Sequence, residues 1–193
     1  MKKFFYKLWS KFLTMFGDIK IFKYPLWLVY DPSDYEVTGE KVLDIMDTLE
    51  NGDIVLRGYN HYLDGKFIPD SLKYSHGAIY IGENTLIHAV AEGVSEINIV
   101  EFCQCDRIAI FRPKKYNKYA ITKAKEFLKN KVPYDFGYQN GVSALFCFEL
   151  CGECYNKLDI PKYTVSYLFG LLKRKNIFLA KSFFNSKDMK CIF

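Results

Sequence analysis

At 193 residues, half of them apolar and 18% aromatic, the chain can bury a substantial core, which excludes a disordered or low-complexity protein and suits one domain with an appended terminal segment. The net charge of +5 is modest, and no basic stripe with base-stacking aromatics accompanies it, so nucleic acid is not an expected partner. No apolar run reaches the length of a membrane span, Lys7 and Lys11 interrupt any signal-like segment, and the six cysteines lack the framework of a small secreted domain. Reduced thiols in a cytoplasmic compartment are therefore predicted.

Residues 2–16 place Phe4, Phe5, Leu8, Trp9, Phe12, Leu13 and Phe16 at helical spacing, opposite Lys3, Lys7 and Lys11. Such a basic amphipathic helix could lie on an anionic membrane, or pack on its own domain or on a partner chain. An aromatic, extended segment follows over 21–32, and residues 1–37 together form an N-terminal appendage to a domain spanning 38–193. A helix is predicted from Thr38 to about Leu49, then a turn into a short buried strand over 51–58. A polar loop runs to Ser75, where a β-hairpin begins, and strands near 94–100 and 107–112 complete an antiparallel sheet. Lys114 to Lys131 is helical, with Ala120, Ala124, Phe127 and Leu128 on one face and its lysines on the wet one, and Pro133 stops it. Residues 133–141 read as loop, 142–158 as a buried helix, and the tail after Pro161 as a further helix and a closing strand. Strands first and the cysteine-bearing helix later point to an α+β domain.

Two of the chain's three histidines, His76 and His88, flank the predicted hairpin. With an odd loop centred on Gly82 they are direct cross-strand partners on one face. An even loop, such as Glu83-Asn84 alone, puts them on opposite faces unless a bulge restores the parity. Two imidazoles side by side have an evident use: one takes a proton from a nucleophile while the second fixes its tautomer and orientation. Both rings are expected to face the helix that begins near Cys147.

Cys147 is the candidate nucleophile, since it follows the turn at 141–143 near a helix start. There the helix dipole and unsatisfied N–H groups favour a thiolate and lower the pKa from about 8.5 toward roughly 3.5–7.5. Cys151 and Cys154, four and three positions on, read as small apolar residues of one helix face. A metal site would need Cys103 and Cys105 to converge with them, and that spacing matches no standard zinc motif, so no metal is predicted.

Gly-Asp-Ile-Val (52–55), Ser-His-Gly-Ala-Ile-Tyr-Ile-Gly (75–82), Ile-His-Ala-Val-Ala-Glu-Gly-Val (87–94), Cys-Asp-Arg-Ile-Ala (105–109), Pro-Tyr-Asp-Phe (133–136) and Phe-Cys-Phe-Glu-Leu (146–150), in that order, resemble the circularly permuted, papain-like NlpC superfamily. The closest likeness is to its YiiX/YaeF-like branch, and the two histidines before a late cysteine are also similar to lecithin:retinol acyltransferase relatives. The resemblance covers roughly residues 40–160. It implies a small α+β domain with the cysteine helix packed against the sheet, Cys147 as nucleophile, His76 as base and His88 as the orienting third residue. Members of this branch usually carry Ser or Thr after the cysteine, where this chain has Phe148. Tyr134 and Asp135 lie in a matching motif and are assigned structural or pocket-lining roles. The implied chemistry is acyl transfer through a thioester, without a cofactor, on a small peptide or acyl substrate. An amidase or peptidase on peptide or cell-wall-peptide amides comes first and a lipid acyl hydrolase or acyltransferase second. A catalytically silent binding or assembly module of the same fold is the third alternative.

Overall fold

The computed structural model describes residues 6–12, 20–22, 27–29, 35–60, 73–115, 118–138, 141–167 and 172–193. The predicted polar loop at 61–72 lies outside these, as do residues 2–5 and 13–16 of the predicted N-terminal helix. Residues 6–12 are helical, and the predicted extended segment contributes a small hairpin of β1 (Lys20–Phe22) and β2 (Trp27–Val29).

The domain is organised on a six-stranded antiparallel sheet of β3 (Ile54–Gly58), β4 (His76–Gly82), β5 (Thr85–Val90), β6 (Gly93–Asn98), β7 (Arg107–Pro113) and β10 (Met189–Cys191). Its strand order is β10-β7-β3-β4-β5-β6. The run β4-β5-β6 is a meander, because each of these strands can pair with its neighbour through a tight turn. Apolar residues occupy successive positions in β3, β4, β5 and β7 because the sheet is covered on both sides. On one face, Ile54, Leu56, Ile79, Ile87, Ala89, Ala109 and Phe111 meet α3 (Lys118–Lys129), α4 (Cys147–Cys154) and α5 (Ala180–Phe184). On the other, Val55, Ala78, Leu86, Ile108 and Ile110 meet α1 (Gly39–Thr48) and α2 (Ile99–Phe102). The alternation of a pleated strand assigns each residue to its layer.

Helix α1 matches its prediction closely. Thr38 caps it by accepting the Lys41 N–H, and Val42, Ile45, Met46 and Leu49 recur on the face turned to the sheet. The predicted buried helix over 142–158 is shorter: only Cys147–Cys154 is helical. The segment before it stays out of the helix because its backbone is used elsewhere, Leu145 N–H donating to Pro133 O and Asp135 N–H to Leu145 O. The Phe146 ring is held against Tyr138 at 4.9 Å between centroids. Cys147 is consequently the first helical residue rather than one in the second turn. The tail also holds an unpredicted hairpin, β8 (Tyr163–Tyr167) with β9 (Leu172–Ile177), before the expected short helix α5 and closing strand β10.

The Gly52-Asp53 motif fixes the start of β3. The Asp53 carboxylate, almost wholly buried, accepts from Glu50 N–H and takes two hydrogen bonds from Arg112 at 2.8 and 2.9 Å. Arg112 also donates to Glu50 and to Thr48 O, so one guanidinium ties the end of α1 to β3 and β7.

Candidate active site

The β4–β5 hairpin turns on two residues, Glu83 and Asn84, both in the left-handed region at φ 52° and 58°, the geometry of a type I′ connection. That even loop alone would put His76 and His88 on opposite faces. The parity is restored by a bulge between Tyr80 and Gly82, after which Ala78 pairs with His88. Gly82, at φ +98°, carries the irregularity, and a Cβ there would lie 2.7 Å from Asn51 Oδ1. His76 and His88 are therefore diagonal neighbours on one face, two residues short of direct partners. The diagonal is the spacing that lets the rings meet edge to face, with His76 Nε2 3.0 Å from His88 Nδ1.

The face they share corrects the expectation that both rings look toward the Cys147 helix. His76 and His88 lie against Phe102, at 5.8 and 6.5 Å between ring centroids, in the layer built by α1 and α2. What faces α4 is Gly77. A Cβ there would sit 3.0 Å from Leu56, 3.2 Å from Phe148 and 3.4 Å from Cys151 Sγ, so the missing side chain is what allows the helix to approach β4 so closely. Phe148 fills that space and is buried. The first turn of α4 thus rests on the main chain of residues 75–77. Cys147 Sγ donates to Ser75 O at 3.8 Å, and the backbone N–H groups of Gly77, Phe148 and Cys147 point to the sulfur. No hydrogen bond joins Cys147 to His76 among the described residues. His76 engages His88 through Nε2, and among the described residues its Nδ1 makes no hydrogen bond.

The electrostatics also differ from the sequence expectation. Burial pushes the Cys147 thiol up to about 12, against the downward pull of the three N–H groups and the Arg57 charge. Burial, then Arg57, then His88 hold the His76 imidazole well below its usual 6.5, and burial and Arg57 bring His88 to about 4. These shifts favour a neutral thiol at Cys147 and neutral imidazoles at His76 and His88. Cys151 and Cys154 are fully buried with thiols also pushed up by burial. Cys103 and Cys105 belong to the opposite layer, so the two cysteine groups do not converge. All six thiols are free.

Two residues of the site escaped the sequence analysis. Arg57 is the cross-strand partner of His76 and stands on the same face. Its signal was a lone charge ending an otherwise apolar strand. Glu149, buried in the first turn of α4, accepts the Phe146 and Gly141 backbone N–H groups, the reach from third helical residue to N-cap of a capping box. Burial, Asp135 and Glu153 raise its pKa to about 8. Its second oxygen has no partner in the interior. Tyr134 and Asp135 lie in the loop beside it: Asp135 accepts the Gly137 N–H, and Tyr134 stacks near Phe136.

Among the described residues no helix is long and apolar enough to cross a membrane. No curated protein sequence matches the chain. A family model does, over residues 48–193, which takes in every element from β3 to β10 and both histidines and the helix-start cysteine. The chain belongs to the permuted papain-like amidase enzymes of the YaeF/YiiX, C92 family.

Proposed function

We propose that the protein is a cysteine amidase acting on small peptide amides, cell-wall peptides among them, with Cys147 as nucleophile, His76 as base and His88 as the residue that orients it. The observation carrying this reading is the 3.0 Å His76–His88 contact through Nε2, one residue along the chain from the Ser75 carbonyl that receives the Cys147 thiol. With Nε2–H donated to His88 Nδ1, His76 Nδ1 is a bare acceptor, the tautomer a base requires. Cys147 Sγ then attacks the amide carbonyl carbon as its proton passes to His76 Nδ1. The same proton goes to the leaving nitrogen when the C–N bond breaks, giving a Cys147 thioester. Water, giving its proton to His76, hydrolyses the thioester and restores the thiol.

Iodoacetamide labelling of the native protein at pH 7 tests the nucleophile. Cys147 should label ahead of Cys151 and Cys154, with the exposed Cys191 as control, and His76→Ala should slow Cys147 alone. Labelling of Cys147 no faster than of its two helix neighbours would remove the activated nucleophile and favour a silent member of the fold.

A second reading, hydrolysis or transfer of lipid acyl groups, draws on the N-terminal helix. Tyr6 anchors it, donating to Tyr134 O at 3.0 Å with its ring against Phe136. Leu8, Trp9 and Phe12 remain 57%, 54% and 46% exposed, and Lys7 and Lys11 are exposed beside them. Apolar anchors flanked by lysines suit an anionic lipid surface. Removing residues 1–16 should leave Cys147 labelling unchanged while weakening binding to phosphatidylglycerol vesicles, and that binding should fall with added salt. Unaltered vesicle binding would return the helix to a role within the protein.

A further inference from the structure

Arg57 is a partly buried cation of the candidate site that the reaction above does not use. Its guanidinium stacks over Phe102 at 4.8 Å and lies 5.7 Å from the Tyr59 ring. One nitrogen makes a long hydrogen bond to Phe102 O at 3.4 Å, and Nε is buried without a partner. Among the described residues no carboxylate pairs with it. Asp106, which bonds Gly58 O next along β3 through its N–H, has its two carboxylate oxygens taken by the Glu36 and Asn60 N–H groups. The contrast with Arg112 is direct, since that guanidinium is met by two carboxylates. A planar fork of donors held over an aromatic ring, with hydrogen-bonding capacity left over, is a receptor for a planar or tetrahedral oxyanion. The buried Nε without a partner is costly, and a ligand oxyanion would offset that cost.

We propose that Arg57 is the anion-recognition residue of this site and selects substrates that carry a carboxylate or phosphate close to the scissile carbonyl. The inference rests on the assignment of Cys147, His76 and His88 above and adds to it the charge of the substrate. The register supports it: Arg57 is opposite His76 on the neighbouring strand, so an oxyanion on the guanidinium lies within one substrate residue of the imidazole. The charge of Arg57 also disfavours imidazolium at His76 and His88, so the group that would recognise the substrate keeps the base unprotonated.

The test compares alkylation of Cys147 by iodoacetate, which carries a carboxylate, with that by the neutral iodoacetamide. The quantity read is the ratio of the two rates, so any general change in Cys147 reactivity cancels, and the pull of the α4 N-terminus on an anion is the same in every variant. Arg57→Gln should lower the iodoacetate-to-iodoacetamide ratio about tenfold, the loss of one charge-assisted contact, and Arg57→Lys should retain most of it. In the unmodified protein, millimolar acetate or inorganic phosphate should protect Cys147 from iodoacetamide, and which of the two protects better identifies carboxylate or phosphate as the recognised group. An unchanged ratio in a folded Arg57→Gln protein, or no protection of the unmodified protein by either anion, would overturn the assignment of Arg57. Failure of Cys147 to react with either reagent would instead overturn the nucleophile assignment, so the two failures are distinguishable.

Discussion

Replacing His76 with Ala should lower turnover of any amide substrate by about 10²–10⁴, the usual contribution of a positioned base. The pH dependence separates this role from a structural one. A buried thiol at about 12 supplies almost no thiolate near neutrality, so an unassisted Cys147 would alkylate about tenfold faster for each pH unit gained. With neutral His76 accepting the proton, the rate should be nearly level from pH 6.5 to 8. It should decline only well below 6.5, because burial, Arg57 and His88 all disfavour imidazolium at His76. His76→Ala should convert the level profile into the steep one. A variant that is merely slower, with the level profile intact, would mean that the proton goes elsewhere. His88→Ala should leave a weaker form of the same profile, since it orients the base without taking the thiol proton.

Glu149→Gln should stabilise the fold at neutral and mildly alkaline pH. The Glu149 carboxyl has its pKa raised to about 8 in the folded chain, against 4.5 for the unperturbed group. A raised acid binds its proton more tightly folded than unfolded, so its contribution is fully present below pH 4.5 and is lost as pH climbs through about 8. The shift corresponds to about 5 kcal/mol once both states are ionised, and about 3 kcal/mol of that is already lost at pH 7. Gln keeps the oxygen that accepts the Phe146 and Gly141 N–H groups and has no charge to desolvate, so much of that loss should disappear. His88 works in the opposite sense: its pKa of about 4 lies below 6.5, so its contribution is present above 6.5 and lost as pH falls toward 4. Thermal melts of the two proteins between pH 4.5 and 8.5 should therefore coincide at the acid end and diverge as pH rises. Parallel curves across the whole range would show that Glu149 ionises in the folded protein as it does in water.

Much of the architecture was legible because it follows from local periodicity. Val42, Ile45, Met46 and Leu49 describe α1 by spacing alone, Thr38 marks its start, and the apolar runs around Gly52-Asp53 and His76 describe strands covered on both faces. The length of α4 was not legible: residues 142–146 have helix-compatible side chains, while the backbone of Leu145 is bonded to Pro133 and Asp135 instead of continuing the helix. The β8–β9 hairpin was hidden for a related reason, since its pairing competes with a helical pattern in the tail. At the site, residue types pointed to Cys147, His76 and His88, while Arg57 and Glu149 showed only as isolated charges in apolar runs.

By itself the sequence determined the α+β class, the family and the presence of two histidines on one hairpin ahead of a helix-start cysteine, because each depends on residue order and short-range pattern. Tertiary structure decided the rest. The parity of the hairpin depends on a bulge between Tyr80 and Gly82, a backbone event at a glycine with φ +98°, and no residue pattern distinguishes it from an odd loop. The protonation state of Cys147 was decided by burial. A helix N-terminus favours an anion by about 0.3–2 kcal/mol, whereas moving a thiol from 9.0 to about 12 corresponds to about 4 kcal/mol, so desolvation wins over the dipole. Burial is a property of what packs above a residue, here Phe148 and the 75–77 main chain beneath it. That is why a local sequence signal for a thiolate becomes, in the folded protein, a thiol whose pKa is raised by burial.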